Sequence, residues 1–131
     1  MLDPRPAFAE KMRAILLEYA SFYETLPLHD VNNAPDRGAR LLSQTLDESV
    51  LLCQMVLGYD LAHNALCFSP EDHAAIRDGL ILPMVKTIQA NPRAISNWQS
   101  WHNAAVGCAG LLLGDAELVD WAVNGRNGFL Y

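Results

Sequence analysis

The chain has 131 residues, 51% hydrophobic and 18% charged, a balance that fits one globular domain rather than a disordered or fibrous chain. Its formal net charge of −6 excludes general binding to nucleic acid or to anionic membranes, both of which need a basic footprint. The three cysteines, Cys53, Cys67 and Cys108, are odd in number and lack ligand spacing, which argues against a disulfide framework or zinc site.

The N-terminal "MLDPRPAFAEKMRAILLEYA" carries prolines and charges where a signal peptide needs an unbroken apolar run. From Ala7 to about Leu26, Phe8, Met12, Ile15, Leu16, Tyr19, Phe22 and Tyr23 recur at three- and four-residue steps, which predicts an amphipathic helix. Pro4 and Pro6 sit where a helix start tolerates them. "PLHDVNNAPDRG" then reads as a loop. In "RLLSQTLDESVLLCQMVLGYDLAHNAL" the apolar residues cover much of the circumference, which predicts a helix buried on more than one side.

"FSPED" is a start signal, with Ser69 as N-cap, Pro70 at the first helical position and Glu71 and Asp72 in the first turn. Pro83 clashes with the carbonyl of residue 79, so a kink is expected near Gly79 to Leu82, and "NPR" ends that helix. Ser96 followed by Gln99 matches a capping box, predicting a fourth major helix from Asn97 to Gly114. Asp115 caps a last short helix to about Asn124. No period-two alternation is present, so the fold is read as all α, roughly five helices in a single domain covering residues 1–131.

The segment with most chemical content is "SNWQSWHNAAVG". Helical spacing puts Trp98, Trp101, His102 and Ala105 on one face and pairs Asn97 with Trp101. Beyond them, alanines and glycines leave a slim helix suited to close packing. From residue 79 to 114 there is no Asp or Glu, while Lys86 and Arg93 are present, and the helix N-terminus adds to the positive sign. An anion is the natural guest. Indole faces suit the apolar C–H groups of sugar rings and asparagines suit hydroxyls, so an acidic carbohydrate is the expected partner.

Plainer readings compete with this one. Two tryptophans at helical spacing also describe a core face, and His102 also fits a core histidine bonded to a carbonyl. His29, His63 and His73 read as structural or solvated, and the Tyr59-Asp60 pair as making a helix-to-helix hydrogen bond rather than as a functional pair.

The order "YDLAHNALCFSPEDHAAIRDGLILPMV" then "NPRAISNWQSWHNAAVGCAGLLLGDAELVDWAVNGRNGF" resembles the heparinase II/III-like and alginate-lyase-like polysaccharide lyases, from about Arg40 to the end. The Asn-Trp-x-x-Trp-His-Asn-Ala-Ala run is its most specific part. The resemblance implies antiparallel helix hairpins forming part of an α/α toroid, whose cleft holds a uronate polysaccharide such as alginate or a glycosaminoglycan. It implies cleavage by β-elimination: the carboxylate is neutralised, a base takes the C5 proton and an acid protonates the leaving O4. By position His102 matches the family's cleft histidine, which implies a catalytic role for it in carboxylate neutralisation or proton transfer, and Asn97, Trp98, Trp101 and Asn103 would bind the sugar.

The resemblance implies that the family's tyrosine acid or base lies on a segment that would follow Tyr131, which itself precedes the matching motif; Tyr19, Tyr23 and Tyr59 occupy the wrong helices for it. The expectation is an N-terminal portion of a lyase toroid, inactive alone, with no metal or cofactor assigned to it. Uncovered helix faces are expected to make the isolated chain marginally stable and prone to self-association. The alternative is a non-catalytic carbohydrate-binding or helical interaction module. The compartment is not encoded; the resemblance points to a bacterial periplasmic or secreted protein, with the cytoplasm as the alternative.

Overall fold

In the computed structural model, which describes residues 6–35 and 38–130, the named elements are all helices. Extended pairing among the described residues is confined to isolated bridges of His29 with Pro35 and Ala39. Pro4 and Tyr131 lie outside the described residues. The all-α expectation holds.

Helix α1 (Pro6–Phe22) buries Ala9 and Leu16 and tightens into a 3₁₀ turn (Tyr23–Thr25) whose Tyr23 is fully buried. Helix α2 (Thr45–Ala62) buries Thr45, Glu48, Ser49, Leu52, Cys53, Met55, Val56 and Tyr59, the multi-sided burial expected from its composition. Helix α3 (Pro70–Ile76) opens on a full capping box: Asp72 N–H donates to Ser69 Oγ at 3.2 Å and Ser69 N–H to Asp72 Oδ2 at 2.8 Å. Asp72 also receives a two-point grip from Arg13 of α1, both bonds 2.7 Å.

Pro83 does not break the third helix. The backbone widens into a π-helical stretch (Arg77–Ile81) at the place of the expected kink and continues as α4 (Leu82–Gln89), which accommodates the missing proline N–H. Gly79 serves a second purpose there, because a Cβ on it would stand 2.8 Å from the Ala20 carbonyl oxygen of α1.

Helix α5 (Asn97–Leu113) ends at Gly114 in the left-handed conformation, φ 66°, and α6 (Ala116–Val123) is capped by Asp115, which accepts from Glu117 and Leu118 N–H. These two helices form a tight hairpin. Helix α5 packs against α2 as well as α6. Added Cβ atoms on Gly107 and Gly110 would stand 3.2 Å from Ala122 Cβ and 2.9 Å from Leu118 Cβ, which explains the slim second half of α5.

Leu16, Leu52, Ile76, Leu80, Met84, Ile88 and Val106 are fully buried at the centre. Each such side chain contributes about 1.5–3 kcal/mol relative to exposure. All three cysteines are free thiols, with Cys53 buried. No described helix is long and apolar enough to cross a membrane. At the surface Phe8, Leu57, Leu61 and Leu66 are exposed, and Leu61 and Leu66 border an apolar hollow of about 590 Å³.

Candidate functional site

The site is built on a buried carboxylate. Glu48 of α2 is fully buried, and its Oε2 accepts N–H bonds from Arg40, Leu41 and Leu42 at 3.0, 2.9 and 3.2 Å. Its other oxygen accepts from Tyr23 Oη, which lies 3.0 Å from Thr87 Oγ1 of α4. Burial, then the Glu48 charge, pushes the Tyr23 hydroxyl far above its ordinary range, so it stays protonated and donating. Arg40 covers the Tyr23 ring at 5.9 Å. Glu48 thereby shapes the irregular segment 40–44 that precedes α2. Asn91 Nδ2 fixes the neighbouring Gly38 by donating to its carbonyl at 3.3 Å and to that of Thr87 at 2.9 Å.

Between this segment and the start of α5 lies a cleft of about 340 Å³, bordered by Asp30 and Val31 of the preceding loop, by Gly38, Ser43 and Gln44, and by Asn91, Arg93 and Trp98. The Arg93 guanidinium sits 4.7 Å above the half-buried Trp98 ring, a stacked cation on an indole. Asn97 is exposed on the first turn and Trp101 is 41% exposed. Three of the predicted residues thus lie at or near open surface.

His102 and Asn103 do not. The expectation that the imidazole faces an open groove is corrected: His102 is fully buried, with Nε2 3.0 Å from Thr45 Oγ1 of α2 and Nδ1 without a hydrogen-bond partner. Helix α5 packs on α2, so the position one turn below Trp98 is turned inward, beneath the cleft. Burial, aided by the nearby Arg93 charge, pushes His102 down to about 4, leaving it neutral near pH 7. Asn103, 3% exposed, also points inward, where its Oδ1 accepts from Gln99 Nε2 at 2.8 Å and its Nδ2 donates to the Asn127 carbonyl at 2.7 Å.

Sequence reasoning missed the ring that these amides form. Arg93 N–H donates to Gln99 Oε1 at 2.8 Å, and Asn127 Nδ2 donates to the Arg93 carbonyl at 2.9 Å, closing a cycle through Arg93, Gln99, Asn103 and Asn127. Only half of the expected capping box survives, because Ser96 Oγ accepts from Gln99 N–H at 3.4 Å while the Gln99 side chain is committed to the ring. The available signal was a glutamine and an asparagine at i and i+4 followed by "NGRNG".

Tyr59 bonds His73 Nδ1 across α2 and α3, the helix-to-helix role expected. None of the described tyrosines lines the cleft. Among the described residues, no group of three or more His, Cys, Asp or Glu side chains is placed to hold a metal.

The alginate lyase family model matches residues 4–130. The chain belongs to the alginate lyase family. An alginate lyase of Stenotrophomonas maltophilia (strain K279a) is 34% identical over 122 residues, covering 91% of this chain and 16% of that protein. An exo-oligoalginate lyase of Saccharophagus degradans (strain 2-40) is 35% identical over 125 residues, covering 88% of this chain and 17% of that protein. This alginate lyase family chain spans about one sixth of the length of the curated relatives it matches.

Proposed function

We propose that this chain supplies the uronate-binding wall of a lyase that cleaves alginate or a related acidic polysaccharide by β-elimination. The observation that carries the reading is the Arg93–Trp98 stack in the cleft at the start of α5. Trp98 and Trp101 offer faces to the sugar ring, Asn97 meets hydroxyls, and Arg93 offsets the uronate carboxylate. Offsetting that charge lowers the cost of the enolate that forms when the C5 proton leaves, which is the main electrostatic demand of the reaction.

Under this proposal His102 and Asn103 act from below. A neutral, closed imidazole bonded to Thr45 is suited to fixing the cleft floor, so His102 is a positioning residue in the geometry described. Asn103 holds the Arg93 backbone through the amide ring. Because Tyr23 and Tyr59 are committed to Glu48 and His73 away from the cleft, the chain binds without turnover and proton transfer falls to other parts of a larger lyase. The same commitment of both hydroxyls favours a second reading, a carbohydrate-binding module with no chemistry.

The two are separated by following the ultraviolet absorbance of the unsaturated uronate product. Activity in a form extended toward the length of the relatives, with binding alone in the 131-residue chain, is the expected result. Activity in neither form supports the module. An oligouronate that fails to bind the chain at millimolar concentration would remove the cleft from the argument.

A further inference from the structure

A second hollow, of about 430 Å³, lies between residues 92–94 and the turn that follows α6. Arg93 borders both this hollow and the Trp98 cleft, so the two are neighbours across one guanidinium-bearing residue. The second hollow adds Arg126 and the half-buried Trp121. Neither arginine forms an ion pair among the described residues. No acid lies between residues 79 and 114 or between 121 and 131. The nearest acid on α6, Asp120, bonds Asn124 at 2.8 Å and does not border the hollow.

The amide ring makes this hollow a built one. Gln99 and Asn103, each 3% exposed, bond to the backbones of Arg93 and Asn127, tying the two rims together through four hydrogen bonds of 2.7 to 2.9 Å. Both Arg93 bonds in the ring use its backbone, so its side chain is not needed to close it. Arg126 stands beside Asn127 and takes no part. A frame held in place before a ligand arrives reduces the ordering cost of binding.

We infer that this hollow is a second carboxylate-binding subsite, in which Arg126 and Arg93 meet the uronate unit adjacent to the one on Trp98 while Trp121 supports its ring. The inference rests on the uronate-binding reading above and adds to it a minimum ligand of two linked units, both carrying carboxylates. A guanidinium suits this task because its planar donor fork matches a carboxylate.

The test is calorimetric titration of the 131-residue chain with a saturated mannuronate trimer, the mannuronate monomer and a carboxyl-reduced trimer, in low and raised salt. Arg126→Ala is expected to weaken trimer binding about tenfold, to flatten its salt dependence and to leave the monomer unaffected, with Arg126→Lys restoring part of the loss. Trp98→Ala should weaken trimer and monomer alike. Trimer affinity that survives Arg126→Ala but falls with Trp98→Ala overturns the second subsite and spares the cleft. Equal losses for the reduced and acidic trimers overturn the carboxylate assignment. Absence of binding to every ligand overturns both readings. Unchanged melting of Arg126→Ala is the expected control, and if it melts early, Arg126→Gln carries the comparison.

Discussion

Nε2 of His102 and Oγ1 of Thr45 lie 3.0 Å apart, joining α5 to α2 one turn from Trp98 and one residue from Gln44, both of which border the cleft. The imidazole there is held near 4, against 6.5 in an unfolded chain. Unfolded chains therefore take up a proton that the folded one refuses, and stability should fall as pH drops from about 6.5 to about 4. A tenfold difference in proton affinity is worth about 1.4 kcal/mol, which puts the loss on the order of 2–4 kcal/mol. Heat scans across pH 4–8 measure it, and His102→Gln should flatten that dependence even if it lowers the melting temperature throughout.

Arg13 and Asp72 govern a separate window. The Arg13 grip, with the Ser69 N–H, holds Asp72 down to about 2 from an ordinary 3.8. Its contribution is complete above about 3.8 and lost as pH falls toward about 2. Arg13→Ala should lower stability at pH 5 and narrow its gap to the parent chain as acid protonates Asp72. A gap that stays constant down to pH 2 argues against the ion pair as the cause.

Replacing Glu48 should be the most damaging single polar substitution. Glu48→Ala strands three backbone N–H groups and the Tyr23 hydroxyl, a loss of about 3–5 kcal/mol by urea denaturation. Tyr23→Phe removes one partner and should cost about 1–2 kcal/mol. Because segment 40–44 adjoins the cleft, a Glu48→Gln chain that remains folded should also bind oligouronate more weakly than its parent.

Gly79→Ala places a methyl group 2.8 Å from the Ala20 carbonyl oxygen, which is backbone and cannot rotate away. A destabilisation of about 1–3 kcal/mol is expected. Ala substitution at Gly114 offers an instructive contrast, because nothing lies within 4 Å of its added Cβ and the cost there comes from φ 66° alone.

Local signals carried much of the fold. Ser69, Pro70 and Asp72 act within one turn of each other, and Gly114 and Asp115 end one helix and start the next, so their roles were readable from spacing. Burial around α5 was less legible. Trp98, Trp101 and His102 share a helical face by number, yet α2 closes over His102 while Trp101 stays open, a distinction set by a neighbour 57 residues away. The amide ring eluded the sequence for a similar reason, since it joins Asn127 to Arg93 across 34 positions and diverts a glutamine that spacing assigns to a cap.

The wide turn at Arg77–Ile81 holds one residue more than a regular helix would. An insertion of one residue advances the azimuth of every later side chain by about 100°. Met84, Val85 and Ile88, all within 1% of complete burial, owe their inward heading to that phase offset. Deleting one residue from the turn would restore ordinary winding and swing those three outward together, so this apparent irregularity sets the rotational register of α4.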